Sequence, residues 1–416
     1  MRTRFEFGLQ QLASRRNPFL ALVAASTLVI SFLYPANAEN LDFGYPQGIP
    51  APGRTCPNTD EGIKIVSEYN GKILVCTMIN GAKKWWIEGD PLPTSNSSEK
   101  SGNDSSQSQI GGVSPQTTPV NEYTPTYKLS AGALTKIKVF ENVKYSTLSP
   151  AQRLDIYMPK GVSKPPLLVW IHGGGFVFGD EDSMKYDDSA KLLEVLAKNG
   201  IAVASVNYRL AQEGMFPAAG KDVKMAIRFL RANANTFGFD SKKFATGGDS
   251  AGAYLALMAA ITGDQASIFD DQADPNRKIS ARISTVLDLF GNVDFLEMSS
   301  NKAKFPCDQS KNPFPGPEGN VHPWFGDMTN LDVQSSMKSA GLYPYLKKSK
   351  SVPTFFIFHG LDDCSVSPHD SINLDKAVKL LKGKSALALI PGEIHGGSGV
   401  WAAVMKAVPA FKKTVR

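Results

Sequence analysis

Residues 244–261 read FATGGDSAGAYLALMAAI: a short β-run, a serine flanked by glycines, and an Ala/Leu-rich helical pattern in immediate succession. This order of strand, tight turn and helix is the setting in which a G-x-S-x-G pattern marks a nucleophilic serine. Gly248 and Gly252 flank a turn that is too tight for side chains. Ser250 stands at the N-terminus of the helix, where partial positive charge favours an oxyanion. The stretch predicts a nucleophile elbow with Ser250 at its apex.

A second glycine motif, HGGGF, directly follows an apolar strand-like run and precedes the serine in the chain. Consecutive glycines allow backbone N–H groups to turn toward a substrate, because no Cβ atom blocks the approach. A loop of this kind supplies part of the oxyanion hole when it precedes the elbow. We expect the N–H groups of Gly174, Gly175 and Ala251 to form that hole, with His172 and Gly173 supporting the loop.

The general base is sought among only five histidines. His172 belongs to the glycine motif, and His322 lies in an insertion rich in Pro and Gly. His359 ends a buried strand, and His369 lies just before a helix without glycine or strand context. His395 lies in the loop between the last strand-like run and the final helical pattern. Because the base comes last in the order Ser, Asp, His, we predict that His395 is the base.

The acid is expected in the loop that follows the strand-like run 355–358, because catalytic groups of open α/β sheets gather at the carboxyl ends of the strands. That loop contains both Asp362 and Asp363. The residues by themselves leave the choice between the two carboxylates open.

Short apolar runs alternate with helical patterns after residue 130. The strand-like runs are 154–157, 167–171, 202–206, 244–247, 283–289, 355–358 and 386–390. The helical patterns are 189–199, 218–237, 251–261, 371–381 and 399–411. Strands that are apolar on both faces and alternate with helices are typical of a parallel sheet covered on both sides. We therefore predict an α/β fold with a mostly parallel sheet sandwiched by helices.

Residues from about 150 to 400 resemble the bacterial carboxylesterase branch of the α/β-hydrolases, near its hormone-sensitive-lipase-like and feruloyl-esterase-like groups. Besides the glycine motifs, four stretches carry the resemblance: Leu154-Asp155-Ile156-Tyr157, Asn207-Tyr208-Arg209-Leu210, Phe216-Pro217-Ala218-Ala219 and Asp222-Val223. The resemblance implies a serine carboxylic-ester hydrolase that needs no metal and no organic cofactor.

The resemblance also bears on the acid and on the substrate. Relatives usually read His-Gly-x-x-Asp-x-x-Val, and Val366 is in register when Asp363 is the acid. The segment 291–349, rich in Pro, Gly and polar residues, corresponds to the variable substrate cap of relatives. The substrate is therefore expected to be a small-molecule ester or an ester linked to a polysaccharide, without a more specific choice.

The first 38 residues read as a signal peptide. Four arginines precede or border the apolar run 19–33, and Ala36-Asn37-Ala38 fits the cleavage pattern, so cleavage is expected after Ala38. An uncleaved anchor is the alternative, although the run is short for a spanning helix, which takes about 20 residues. Cleavage lowers the net charge from +6 to +3, because four Arg and one Glu are lost, and no basic cluster indicates nucleic acid. A secreted or periplasmic protein without a stable membrane span is expected.

Two segments separate the signal from the catalytic domain, which is predicted over residues 128–416. Residues 39–92 are expected to form a small Cys/Trp β module, and residues 93–127, rich in Ser and Pro, a flexible linker. Trp85 and Trp86 either contact a cell-wall glycan or fill a small core. Export permits disulfides, and two local pairs, Cys56 with Cys76 and Cys307 with Cys364, are the natural connectivity. Four free thiols are the alternative.

Three further functional classes compete with a simple carboxylesterase. A carbohydrate acyl-esterase, which removes acetyl or feruloyl groups from polysaccharide, fits the export signal and the front module. A serine peptidase uses the same residues on this fold, but it usually carries a large additional domain. A binding protein that has kept the fold is expected to have lost some of these residues, and here all are present.

Overall fold

The computed structural model describes residues 127–298, 308, 310 and 321–415, together with the backbone of three earlier strands. These strands are β1 (Lys64–Val66), β2 (Ile73–Ile79) and β3 (Ala82–Ile87), and they form one antiparallel sheet in that order. They lie within residues 39–92, where the sequence predicts a small β module. The expected signal peptide, the linker up to residue 126 and the side chains of Cys56, Cys76 and Cys307 lie outside the described residues.

The main sheet has eight strands in the order β13-β12-β9-β8-β6-β7-β5-β4. They are β4 (Ile137–Lys144), β5 (Arg153–Pro159), β6 (Leu167–Ile171), β7 (Ala202–Val206), β8 (Phe244–Asp249), β9 (Thr285–Leu289), β12 (Thr354–Gly360) and β13 (Lys384–Ile390). All neighbouring strands from β13 to β7 pair in parallel. Strand β5 pairs antiparallel with β7, and β4 pairs antiparallel with β5. A separate hairpin joins β10 (Val321–His322) and β11 (Gly326–Asp327). The mostly parallel sheet predicted from the sequence is confirmed.

Helices separate most of these strands. They are α1 (Ala131–Lys136), α2 (Asp187–Lys198), α3 (Ala218–Ala232), α4 (Ala234–Phe237), α5 (Ala251–Thr262), α6 (Leu331–Ala340), α7 (Tyr343–Lys348), α8 (Pro368–Leu380) and α9 (Ser398–Lys412), with a 3₁₀ turn at Glu181–Lys185. The prediction of a single helix over 218–237 is wrong, because this segment forms two helices, α3 and α4. Asn233 lies at the break, and its side-chain amide donates to the carbonyl of Phe229.

Two hydrophobic layers cover the two faces of the sheet, as β6 illustrates. Leu167, Val169 and Ile171 join the layer that contains α3, α5 and α8, whereas Leu168 and Trp170 join the layer of α2 and α9. All residues of β6 and of α5 are buried. A strand buried on both faces gains apolar burial from every side chain, at about 25 cal/mol per Å² of apolar surface removed from water. This explains why the central strands read as unbroken apolar runs.

The topology creates a crevice between β6 and β8 at the carboxyl edge of the sheet. The chain runs from β6 to β7 on one side of β6, and β8 then pairs with β6 on its other side. Ligands of open α/β sheets bind at such a reversal of strand order. The loop after β6 holds the HGGGF motif and the loop after β8 holds Ser250, so both motifs border this crevice.

Candidate active site

Ser250 occupies a sharp turn between β8 and α5. Its backbone angles, φ 52° and ψ −120°, are rarely adopted by a residue with a side chain and cost about 1–3 kcal/mol. The turn is held because the Ser250 N–H donates to the Leu289 carbonyl at 2.9 Å. A Cβ on Gly248 or on Gly252 would overlap the carbonyl oxygen of Ile171. Only glycine fits at these two positions, so the chain has the geometry of the predicted elbow.

The structure brings Ser250, His395 and Asp363 into one hydrogen-bonded chain. The Ser250 Oγ lies 2.9 Å from His395 Nε2, and His395 Nδ1 lies 2.7 Å from Asp363 Oδ2. A carboxylate only accepts hydrogen bonds, so Nδ1 of the neutral ring carries the proton. Nε2 is then free to accept the hydroxyl proton of Ser250. His395 is 9% exposed and Asp363 is 2% exposed, so these hydrogen-bonded side chains lie just below the protein surface.

Asp363, and not Asp362, is the carboxylate that meets His395. Its Oδ1 accepts the backbone N–H groups of Ser365 at 2.8 Å and Val366 at 2.9 Å. Burial alone would raise the pKa of Asp363, but the charge and hydrogen bonds of His395, together with those of a second histidine, hold that pKa well below its usual range. Asp363 therefore stays ionised throughout the ordinary pH range.

The loops that carry Asp363 and His395 are joined through their backbones. The N–H of Leu361 donates to Ile390 O and that of Asp362 donates to Glu393 O, both at 2.9 Å. The ring of Phe290, which follows β9, packs edge-on against the His395 ring with centroids 4.7 Å apart. These contacts fix the distance between the two loops, and with it the contact between Asp363 and His395.

The loop after β6 makes a tight turn at Gly174. Gly174 has φ 103°, and a Cβ there would overlap the carbonyl oxygen of Phe178. Gly174 O accepts from the N–H groups of Val177 and Phe178, at 3.0 and 3.2 Å. The N–H groups of Gly174, Gly175 and Ala251 have no acceptor within the described part of the chain. They are available to an oxygen atom of a bound molecule.

His172 and Gly173 hold this loop in place through their contacts, as the sequence predicts for supporting residues. The His172 ring stacks on the Tyr208 ring, with centroids 4.4 Å apart, and the Tyr208 hydroxyl donates to His172 O at 3.0 Å. The N–H of Gly173 donates to Asp249 Oδ1 at 3.2 Å, which links the loop to the elbow. Burial raises the pKa of Asp249 to about 6, although the Gly173 N–H and the charge of His395 oppose that rise.

Aromatic side chains connect the described part of the expected cap to the loop of the HGGGF motif. Phe176, which follows the three glycines, stacks on Trp324 with centroids 4.1 Å apart. Phe295 and His322 complete the contact, and their rings lie 5.2 Å apart. Burial lowers the pKa of His322 to about 4, so this ring is neutral at pH 7. The cap thus packs directly behind the loop that the glycine motif forms.

One feature of the site escaped the sequence interpretation. His359 is fully buried, and its Nε2 lies 3.2 Å from Asp363 Oδ2. Its position in a His-Gly step directly before the acid loop was the available signal, but a histidine at the end of a buried strand was interpreted as structural. Cys364 is buried beside Asp363 and is disulfide-bonded, with a partner outside the described side chains. Its pairing with Cys307 stays a prediction.

Neither a metal centre nor a membrane segment emerges from the described residues. No three His, Cys, Asp or Glu side chains within them are arranged to hold a metal ion. Of the helices described, none combines the length and the apolar character that crossing a bilayer requires.

Known proteins share this architecture. Esterase LipC of Mycobacterium tuberculosis is 27% identical over 252 residues, which cover 59% of this chain and 57% of LipC. A truncated carbohydrate esterase from gut microbiota is 23% identical, with a TM-score of 0.56 over 66% of this chain and 96% of that one. A bifunctional GH43-CE protein of Bacteroides eggerthii is 24% identical, with a TM-score of 0.55 over 67% of this chain and 35% of that one. The two structures show a shared fold, and the chain spans about half the length of LipC.

The profile of the BD-FAE family matches residues 154–378. This segment runs from β5 to α8 and includes the HGGGF loop, Ser250 and Asp363, and it makes up more than half of the chain. The chain has the α/β-hydrolase architecture of its esterase relatives, and it belongs to the BD-FAE family.

Proposed function

We propose that this protein is a carboxylic-ester hydrolase in which Ser250 is the nucleophile, His395 the general base and Asp363 the acid. One observation carries the proposal: the chain of hydrogen bonds from Ser250 Oγ through His395 to Asp363, with distances of 2.9 and 2.7 Å. Nucleophile, base and orienting carboxylate within hydrogen-bond reach are the arrangement of acyl-transfer enzymes. The esterases among the relatives support the same reaction class.

The geometry suits a two-step reaction. His395 Nε2 takes the hydroxyl proton while Ser250 Oγ attacks the ester carbonyl, and the oxyanion binds the N–H groups of Gly174, Gly175 and Ala251. His395 then gives the proton to the leaving alcohol, and an acyl-enzyme remains. A water molecule, deprotonated by His395, attacks the acyl group and releases the carboxylic acid. Throughout, Asp363 holds the imidazole in the correct tautomer and stabilises its charged form.

A carbohydrate acyl-esterase is the second candidate. It is supported by the carbohydrate esterase from gut microbiota, which shares the fold, and by the front module and the predicted export signal. In this case the acyl group leaves from a hydroxyl of a polysaccharide. Trp85 and Trp86 of the front module would then contact the glycan. A serine peptidase is the least supported candidate, because the relatives that support a reaction class are esterases.

We propose a secreted or periplasmic location, with cleavage after Ala38. The apolar run 19–33 between basic residues and the small residues of Ala36-Asn37-Ala38 support it. N-terminal sequencing of the protein recovered from the periplasm or the medium tests the cleavage point.

The first experiment is the Ser250→Ala variant, assayed with p-nitrophenyl acetate. We expect hydrolysis to fall to background while circular dichroism and thermal unfolding stay close to the wild type, because only one hydroxyl is removed. A variant that keeps most of the wild-type rate would contradict the assignment of the nucleophile.

A substrate panel separates the candidates. It comprises p-nitrophenyl esters, acetylated xylan, methyl ferulate and aminoacyl p-nitroanilides, each assayed with wild type and with Ser250→Ala. Activity on simple esters alone supports a general carboxylesterase. Preference for acetylated xylan or methyl ferulate supports the carbohydrate esterase, and cleavage of the anilides supports the peptidase.

A further inference from the structure

One oxygen atom of Asp363 serves two histidines. Oδ2 lies 2.7 Å from His395 Nδ1 and 3.2 Å from His359 Nε2. The two rings differ in their surroundings, since His359 is fully buried and His395 retains 9% exposure. The proposed mechanism uses His395 and gives no role to His359. His359 is thus a buried histidine that contacts the acid of the proposed triad without a role in that mechanism.

The hydrogen bonds of His359 determine where its proton lies. Nε2 is 3.0 Å from the carbonyl oxygen of Val366, which only accepts, so Nε2 carries a hydrogen. That N–H is shared between Val366 O and Asp363 Oδ2. Nδ1 is 2.7 Å from Ser371 Oγ, and a hydroxyl can donate or accept. The site therefore satisfies both the neutral and the protonated ring without movement.

Carboxyl groups on two elements act on His359: Asp363 lies on the loop after β12, and Asp288 lies on β9. A third carboxyl group, Asp370 on α8 beside Ser371, acts on Asp288. Burial alone would lower the pKa of His359, but the hydrogen bond and charge of Asp363, with a further contribution from Asp288, raise it above its usual value. The other titratable group at the same carboxylate is His395. A proton on His359 thus competes with a proton on His395 for one negative charge.

Building on the proposed function, we propose that His359 is a positioning residue for hydrolysis, which fixes Oδ2 of Asp363 and draws part of its charge away from His395. Two consequences follow. Without His359 the carboxylate attracts the proton of His395 more strongly, so the base becomes protonated at a higher pH. Without the Nε2–H the carboxylate also loses one of its four donors, so the turnover step slows while substrate binding is largely unchanged.

The test is the pH dependence of kcat/KM for His359→Gln, measured with p-nitrophenyl acetate between pH 4 and 9. The acidic limb of this profile reports protonation of the base in the free enzyme. We expect its midpoint to move up by about one pH unit, the size expected for two charges a few Å apart in a protein. We also expect kcat to fall ~10-fold or more, because misplacing a catalytic group by a fraction of an ångström slows the reaction by such factors. KM should change little.

The matched control is His369→Gln. His369 is a half-buried histidine in the first turn of α8, and the proposed mechanism gives it no role. Its pH profile is expected to coincide with the wild-type profile. A correctly folded His359→Gln whose acidic limb also coincides with the wild type overturns the proposal. A loss of stability without such a shift would mean that His359 is merely structural.

Ser371→Ala provides a second route, because full burial makes His359→Gln liable to misfold. This variant removes the partner of Nδ1 and weakens the protonated form of His359, so a smaller shift in the same direction is expected. NMR titration of the His395 ring without substrate must show the same shifts in the folded variants. Inactivity of the wild type on every ester would contradict the proposed function, whereas unchanged NMR titration would contradict the positioning role.

Discussion

The two halves of the proposed site are held in place by different means. On the nucleophile side, Ser250 and the HGGGF loop, here called the proposed oxyanion loop, are fixed by backbone atoms in contact. There is no room for a Cβ at Gly248, Gly252 or Gly174. On the acid–base side, Asp363 is fixed by side-chain and backbone N–H donors, two of which come from histidines. The nucleophile side should therefore be sensitive to added volume, and the acid–base side to altered charge.

Among the substitutions that test this difference, the largest expected effect lies on the acid–base side. Asp363→Asn keeps the volume but removes the charge, and it presents an amide group to His395 in place of an acceptor. We expect kcat to fall by about 10⁴, as in other triads, because the imidazole takes the wrong tautomer. Steady-state kinetics with p-nitrophenyl acetate measure the loss.

Asp362→Asn is the matched control for this substitution, since it is an identical change one position away. The carboxylate of Asp363, not that of Asp362, meets His395, so we expect less than a ten-fold effect from the control. If Asp362→Asn were the more damaging of the two, the assignment of the acid would be wrong.

These two sides also differ in how far the sequence predicts them. The elbow and the oxyanion loop are local, because each function depends on glycines within a few residues, and their positions follow from the motif. The choice between Asp362 and Asp363 depends on which side chain turns toward a loop about thirty residues away, and the residues alone left it open. The contact of His359 with Asp363 depends on how the chain bends after β12, which no local pattern revealed.

The fold shows the same division. Strands β6 and β7 begin and end where the apolar runs do, because strands buried on both faces are apolar throughout. Strand β4 was not predicted: it lies at the edge of the sheet, has a register shift between Phe140 and Val143, and buries only Ile137 fully. The break at Asn233 was missed because its neighbours are good helix formers on both sides.

A second prediction addresses volume on the nucleophile side. Gly174 has φ 103°, and Gly174→Ala places a Cβ against the carbonyl oxygen of Phe178. The loop must therefore shift, and its N–H groups are displaced from the proposed oxyanion site. We expect kcat to fall by about 10²–10³, the usual cost of losing one oxyanion-hole donor, with less effect on KM. Steady-state kinetics of this variant with p-nitrophenyl acetate measure both.

The control for Gly174→Ala is Gly161→Ala. Gly161 also has positive φ, at 78°, but a Cβ there meets no atom within 4 Å. It carries the same kind of backbone strain without the clash, and it is expected to retain nearly full kcat. Equal losses in both variants would show that general destabilisation, and not the oxyanion hole, is responsible.

A third prediction concerns the covalent support of the acid loop. We expect Cys364 to be bonded to Cys307, which closes a loop of about sixty residues and contributes roughly 4 kcal/mol on the chain-entropy view of disulfides. Cys307→Ser should lower the midpoint of thermal unfolding and slow hydrolysis a few-fold, because the Asp363 loop loosens. Non-reducing peptide mapping identifies the pair directly. A peptide joining Cys364 to Cys56 or Cys76 would refute this pairing.

The smallest expected effect concerns a carboxyl group between the two sides. Asp288 on β9 pairs in register with Gly248 of the elbow strand and with Ile357 of β12, and it is fully buried. Burial raises its pKa to about 7, although the positive charge of His359 opposes that rise. In the unfolded chain the same group loses its proton near pH 4.

Between pH 4 and pH 7, therefore, the unfolded protein releases this proton before the folded protein does. The contribution of Asp288 to stability must fall as the pH rises through that window, by about 4 kcal/mol in total, and then level off. Asp288→Asn cannot ionise, so its free energy of unfolding in urea should decline less between pH 4.5 and 7.5 than that of the wild type. The exposed Asp332→Asn, at the start of α6, is the control and should follow the wild-type slope. A wild-type slope in Asp288→Asn would mean that Asp288 is already ionised in the folded protein, and that His359 faces two full negative charges and not one.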